Sequence, residues 1–146
     1  MSTAMREEIR LGPIVVRPHV EGAESGGTVA IHEFEVAAGA GLPLAHSHDA
    51  YEETIYGLKG TITFTVEGTV IDVGPGDAFC IRRGEVHLFA NNGDESAAAL
   101  AIITPGILGA DYFREVAAIV DAAAGGPPDP AAIAEVMRRH GLTPVR

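Results

Sequence analysis

Between residues 28 and 105, apolar and polar positions alternate in short runs, and each run ends at a glycine or a small polar residue. Residues 29–36 (VAIHEFEV) form one such run and residues 61–66 (TITFTV) another; residues 70–73, 78–81, 86–89 and 97–103 supply the rest. Alternation with period two places every second side chain on one face of an extended chain, so these runs read as half-buried β-strands. Turn residues at Gly41, Gly60, Gly68, Gly76, Gly84 and Asn92-Gly93 separate them at the spacing of an antiparallel sandwich or barrel. Upstream, Ile14, Val15 and Val16 suggest an edge strand, and residues 21–27 (EGAESGG) a loop.

From Gly109 the period changes. Tyr112, Phe113, Val116, Ile119 and Val120 recur at three- and four-residue steps, an amphipathic helix with Asp111 as its expected N-cap. Residues 125–128 (GGPP) break the chain, and Asp129-Pro130 restarts it as an N-cap followed by proline in the first turn. Ile133, Val136 and Met137 make the second apolar stripe, and Gly141 closes the helix. The expected organisation is a β-barrel with an N-terminal edge strand over residues 1–108, then a helical tail over 109–146. Two exposed apolar stripes need cover, so the tail is expected to pack on the barrel or on the partner subunit of a homodimer.

Composition narrows the function. At 146 residues, 47% hydrophobic and 21% charged, the chain matches one soluble globular domain. Ten basic against twenty acidic residues give a net charge of −10, and the basic residues are scattered. A nucleic-acid surface needs clustered Lys and Arg, so that class of partner is excluded. No apolar run reaches the ~20 residues of a membrane helix, and the first residues lack the apolar stretch of a secretory signal. The single Cys80 cannot form an internal disulfide, so a cytoplasmic location is expected.

Residues 46–53 (HSHDAYEE) carry the chemistry. On a strand, His46 and His48 project from the same side, close enough for both imidazoles to reach one ion. Glu53 stands an odd number of residues from both, so residues 49–51 must turn or bulge the chain for it to join them. Imidazole nitrogens with a carboxylate suit one divalent transition metal ion (Fe, Ni, Mn, Co, Cu or Zn) rather than Ca or Mg.

The stretch from His46 to Gly60 reads HxH-x4-E-x6-G, and the stretch from Gly76 to Asn91 places Gly76, Gly84, His87 and Asn91 at the steps of G-x5-P-x-G-x2-H-x3-N. Together they resemble the paired motifs of the cupin superfamily over residues 39–91. The chain departs from that pattern at Ala40, where a glycine is usual, and at Arg82, where a proline is usual. The resemblance implies a mostly β fold, an antiparallel jelly-roll β-barrel with the two-helix tail appended, and a metal held by His46, His48, Glu53 and His87. Glu52 competes with Glu53 as the carboxylate ligand; the six-residue step to Gly60 favours Glu53. By alternation Ile55 shares the facing of Glu53 and Phe89 that of His87, so these two, with Tyr51 and Arg82, are the expected pocket wall. His19, His32 and His140 have no pattern partner and read as ordinary core or surface residues.

Three imidazoles and a carboxylate leave positions open on an ion of five or six ligands, as in catalytic rather than structural sites. The tail is loosely similar to that of small bacterial cupins related to quercetin 2,3-dioxygenase. A dioxygenase-like oxidoreductase acting on a small chelating enol, catechol or flavonol is therefore expected, with Glu53 as the base. A non-redox isomerase or epimerase, or a non-catalytic small-ligand-binding cupin, are the alternatives.

Overall fold

The computed structural model describes residues 6–42 and 44–145. The first five residues and Arg146, which belong to the two expected segments and to the reading of the N-terminus as leaderless, lie outside the described residues. Eleven strands and two helices follow one another along them: β1 (Ile9–Leu11), β2 (Ile14–Val20), β3 (Ala30–Val36), β4 (His46–His48), β5 (Glu52–Lys59), β6 (Ile62–Val66), β7 (Thr69–Val73), β8 (Ala78–Ile81), β9 (His87–Ala90), β10 (Ala97–Thr104), α1 (Ala110–Ala122), α2 (Pro130–Arg139) and β11 (Leu142–Pro144).

The strands build two antiparallel sheets, one in the order β1-β2-β3-β10-β5-β8 and the other β11-β4-β9-β6-β7. Their inner faces enclose a jelly-roll core. On β3 the alternation is clean: Ala30, His32, Phe34 and Val36 are buried, while Glu33 and Glu35 point out and pair with Arg17 at 2.7 and 2.9 Å. Phe34, Val36, Ile55, Ile62, Phe64, Val73 and Ile81 pack together between the sheets.

Two local expectations need correction. The expected edge strand is longer, Ile14–Val20, and lies one place in from the edge, because Gly12 (φ 63°) reverses the chain and folds Ile9–Leu11 back onto Ile14–Val16 as the true edge. Asp111 is not the N-cap of α1. The helix begins at Ala110, whose amide donates to Glu21 Oε1 at 2.9 Å, and Asp111 pairs with Arg114 instead. The second helix follows the sequence reading closely: Asp129 accepts from the Ala131 amide at 3.0 Å, and Gly141 leaves the helix with φ 81°.

Tyr112 and Val116 of α1, Val136 and Met137 of α2 and Leu142 of β11 form a second cluster with Ala30, Tyr51, Ile103 and Leu108 of the barrel. The helices thus close the open end of the jelly roll, and the chain then returns as β11 to pair with β4. No helix among the described residues is long and apolar enough to cross a membrane.

Candidate metal centre

His46 and His48 project inward from β4 and His87 from β9, all at most 7% exposed. One nitrogen from each ring falls in a set whose members lie within 4.8 Å of one another. The ring centroids are 4.5 Å apart for His46–His87 and for His48–His87, and 5.2 Å for His46–His48. Glu53 comes from the opposite sheet, on β5. Its Oε1 lies 3.5 Å from His48 Nε2 and 3.7 Å from His87 Nε2, so it approaches two of the three imidazoles. The turn at residues 49–51 gives Glu53 its inward facing, and the neighbouring Glu52 points outward to a bidentate pair with Arg83.

Backbone carbonyls set the ring orientations. The Glu85 carbonyl can only accept, so His87 Nδ1 at 2.9 Å carries the proton and Nε2 keeps its lone pair. The Leu44 carbonyl holds His46 Nδ1 in the same way at 3.3 Å. Tyr51 lies flat on the His48 ring, 4.5 Å away at 19°. His87 Nε2, His48 Nδ1 and the Tyr51 hydroxyl are buried with no hydrogen-bond partner among the described residues.

An orphaned, buried nitrogen lone pair costs free energy unless something accepts it. Donors at about 2.1 Å from one ion stand roughly 3–4 Å from each other, the range in which Glu53 approaches His48 and His87. The triad is therefore able to hold a metal, and the residues present fit one. Burial pushes His46 down to about 3 and His48 to about 2, with repulsion from His87 second in each case; His87 is also lowered by burial. All three rings are neutral, the form that binds metal. Burial alone raises Glu53 to about 7.

The motif residues that are not metal candidates hold the frame. Asn91 is buried; its Nδ2 donates to the Val36 and Glu95 carbonyls at 3.0 and 2.8 Å, and its Oδ1 accepts from the Gly93 amide. Gly60 has φ 61°, and a Cβ there would lie 2.8 Å from the Ala97 Cβ. At Arg82 the backbone amide donates to Glu85 Oε1 at 2.7 Å, closing a turn that the usual proline, lacking that N–H, would have to stiffen another way.

A cavity of about 1000 Å³ opens from the three histidines and Glu53 toward the helices. Phe34, Phe64 and Phe89 line it from the sheets, and Phe113, Val116 and Met137 from the helices. Arg10, 69% exposed at the side chain, is its only Lys or Arg among the described residues. Of the expected wall, Phe89 lines the cavity. Ile55 is packed in the hydrocarbon core one inward position deeper than Glu53, Tyr51 sits behind His48, and Arg82 points outward with its side chain 78% exposed.

Sequence reasoning missed the helical share of the wall, and it missed His32, which lines the cavity beside Phe34 and Phe113. Strict alternation over residues 29–36 was the available signal for His32, since it puts His32 on the face of Phe34 and Val36.

The model of the Cupin domain family matches residues 32–103. Among solved structures, a predicted oxalate decarboxylase from Thermotoga maritima superposes with a TM-score of 0.63 at 20% identity, covering 70% of this chain and 94% of its own. The polyketide cyclase RemF from Streptomyces resistomycificus gives 0.59 at 24% identity, covering 79% and 91%. A sugar phosphate isomerase of the cupin superfamily from Silicibacter pomeroyi gives 0.52 at 22%, covering 61% and 59%. No curated protein matches significantly by sequence. Structural likeness at these identities establishes the fold, and residues 32–103, the segment matched as a Cupin domain, hold both motifs with every histidine of the triad.

Proposed function

We propose that the protein is a metal-dependent, dioxygenase-like oxidoreductase acting on an apolar ring compound that bears an enol or phenol oxygen. The observation that carries this reading is the cavity: about 1000 Å³, walled by aromatic and aliphatic side chains, with three histidines and Glu53 at one end. That volume is at the upper end for small-molecule sites. A small dianion or a sugar phosphate would want fixed cationic donors, and the wall offers only the exposed Arg10.

His46, His48, His87 and Glu53 would hold the ion, which when bound supplies Lewis acidity and, if redox-active, electron exchange with O₂. Phe34, Phe64 and Phe89 hold a flat ring and keep water from it. Glu53, a carboxylate at the polar end of the cavity, is placed to take the enol proton on a carboxylate oxygen as the substrate enters. The neutral imidazoles add no competing charge.

A second reading is non-redox ring closure or isomerisation by the same base. The likeness to a polyketide cyclase and Glu53 at the cavity's polar end favour it.

Oxygen uptake by the metal-reconstituted protein with a panel of flavonols, catechols and polyketide-like phenols tests both. Substrate-dependent O₂ consumption is the expected result. Equal turnover under anaerobic conditions would replace the first reading by the second, and binding without turnover of any compound would reject both.

A further inference from the structure

The cavity contains one more buried imidazole. His32 is 7% exposed, lines the cavity, and makes no side-chain hydrogen bond to any described residue. Its close neighbours are the rings of Phe113 and Phe34, with centroids 4.7 and 6.4 Å away, and neither ring offers a lone pair. A core histidine normally satisfies at least one of its nitrogens within the protein. Here the polar atoms of His32 have only cavity space to address.

The register fixes where it stands. Across β10, His32 is level with Ala101 and Ile55, and Glu53 with Ile103 and Ala30. His32 and Glu53 therefore share the inner face of one sheet, two strands and two residues apart, about 12 Å between Cα atoms from standard sheet spacings. A polycyclic molecule covers such a span. Ala101 and Ile103 of β10 stand between them, and neither side chain offers a hydrogen bond.

We propose that His32 is a positioning residue for the ligand: its imidazole hydrogen-bonds a hydroxyl or keto oxygen on a ring compound whose other oxygen lies at Glu53 and the three histidines. The proposal rests on the functional reading above and makes it narrower, requiring a substrate with two oxygen functions at opposite ends of an apolar ring system. Burial, and more weakly the charge of His19, keep the ring deprotonated, with a pKa of about 4. At neutral pH it is thus an uncharged donor at one nitrogen and an acceptor at the other, which matches a hydroxyl and gives a carboxylate no charge partner.

The test uses protein reconstituted with zinc, which undergoes no redox chemistry. Flavonol, and flavonols carrying one further ring hydroxyl at different positions, are titrated by fluorescence. Wild type should prefer one hydroxylated isomer over flavonol by about tenfold, the affinity equivalent of one net hydrogen bond in a dry site. His32→Phe, which keeps the aromatic packing, should bind both equally and keep full zinc content; His32→Gln, which keeps a donor and an acceptor, should retain part of the preference. A preference that survives intact in His32→Phe overturns the role of His32, as does a wild type that binds flavonols with no preference among isomers, and in both cases the proposed substrate class stands. A wild type that binds zinc but no flavonol overturns the class and the role of His32 with it.

Discussion

His46 and His87 stand opposite each other in the register of β4 and β9, the one residue pair at which those strands meet, with their rings 4.5 Å apart at 61°. That pairing joins the two halves of the candidate metal site, which lie far apart in sequence. Removing either ring should cut metal content at least tenfold, since even changes behind the ligands cost about 10–100-fold. Elemental analysis of His46→Ala and His87→Ala after reconstitution measures this; wild-type stoichiometry in either variant contradicts the assignment.

Protonation should shape the stability of the metal-free protein. Burial holds His32, His46 and His48 at about 4, 3 and 2, and Glu53 at about 7. Unfolded, the imidazoles titrate near 6.5 and the carboxyl near 4.5. As pH falls toward 4.5, the unfolded chain takes up at least three imidazole protons that the native state refuses, and His87 is lowered in the same direction. The native state meanwhile retains one carboxyl proton that the unfolded chain releases. Three outweigh one, so stability falls on acidification, by about 3 kcal/mol per pH unit at its steepest. From 6.5 to about 7.5 the protons still held by the unfolded imidazoles outnumber the one on native Glu53, and stability rises gently to a plateau. Thermal stability in chelator should therefore level off above about pH 7.5, and Glu53→Gln should steepen the loss on the acid side. A melting temperature that climbs steadily toward pH 4.5 would refute these burial effects.

The Glu53→Gln variant has a second consequence, in turnover. Glutamine keeps the volume and a carbonyl oxygen but cannot accept the enol proton. Loss of a positioned base typically costs about 10²–10⁴-fold. Initial rates should fall by that factor once a substrate is in hand, and a variant with wild-type turnover would remove Glu53 from the role of base.

Much of this was legible locally. His46 and His48 share a face because strands repeat every second residue, and the runs at residues 29–36, 61–66 and 97–103 declare themselves by the same period. Asp129 and Pro130 announce α2 because a cap is a contact between near neighbours. What sequence hid depends on distant contacts. β11 is three residues long and ends in proline, and it is a strand only because β4 lies beside it. Ile55 shares the facing of Glu53 but sits one inward step deeper, where the barrel is filled with hydrocarbon, so facing alone could not separate wall from core. The helical face of the cavity was equally out of reach, since periodicity shows an apolar stripe without showing what it covers.

β11 gives the fourth prediction. Leu142–Pro144 pairs with every residue of β4, the Gly141 carbonyl accepts the Asp49 amide at 2.8 Å, and Thr143 Oγ1 donates to Asp49 at 2.6 Å. Deleting residues 141–146 leaves β4 as an edge strand tied to the sheet by its single pairing with β9. Metal affinity should drop about 10–100-fold, the usual cost of loosening the support behind ligands. A competition titration against a chromogenic chelator reads this directly, and unchanged affinity would show that β4 needs no partner on that side.

Glu21 gives the last. Its carboxylate accepts the Ala110 amide at the start of α1, 89 residues along the chain, and a Cβ at Gly109 would lie 3.0 Å from its oxygens. The contact satisfies a helix-end amide and places negative charge at the positive end of the helix dipole. Glu21→Ala should cost about 1 kcal/mol, as other lost caps do, and lower the melting temperature by about 2–4 °C for a chain of this size. Glu21→Gln, which retains an acceptor, should lose less. Because α1 carries Phe113 and Val116 to the cavity wall, the alanine variant should also show faster amide exchange through the first turns of α1, with the barrel strands unchanged. Protection equal to wild type in those turns would mean that packing alone fixes the helix, and that the Glu21 contact contributes nothing to holding the wall in place.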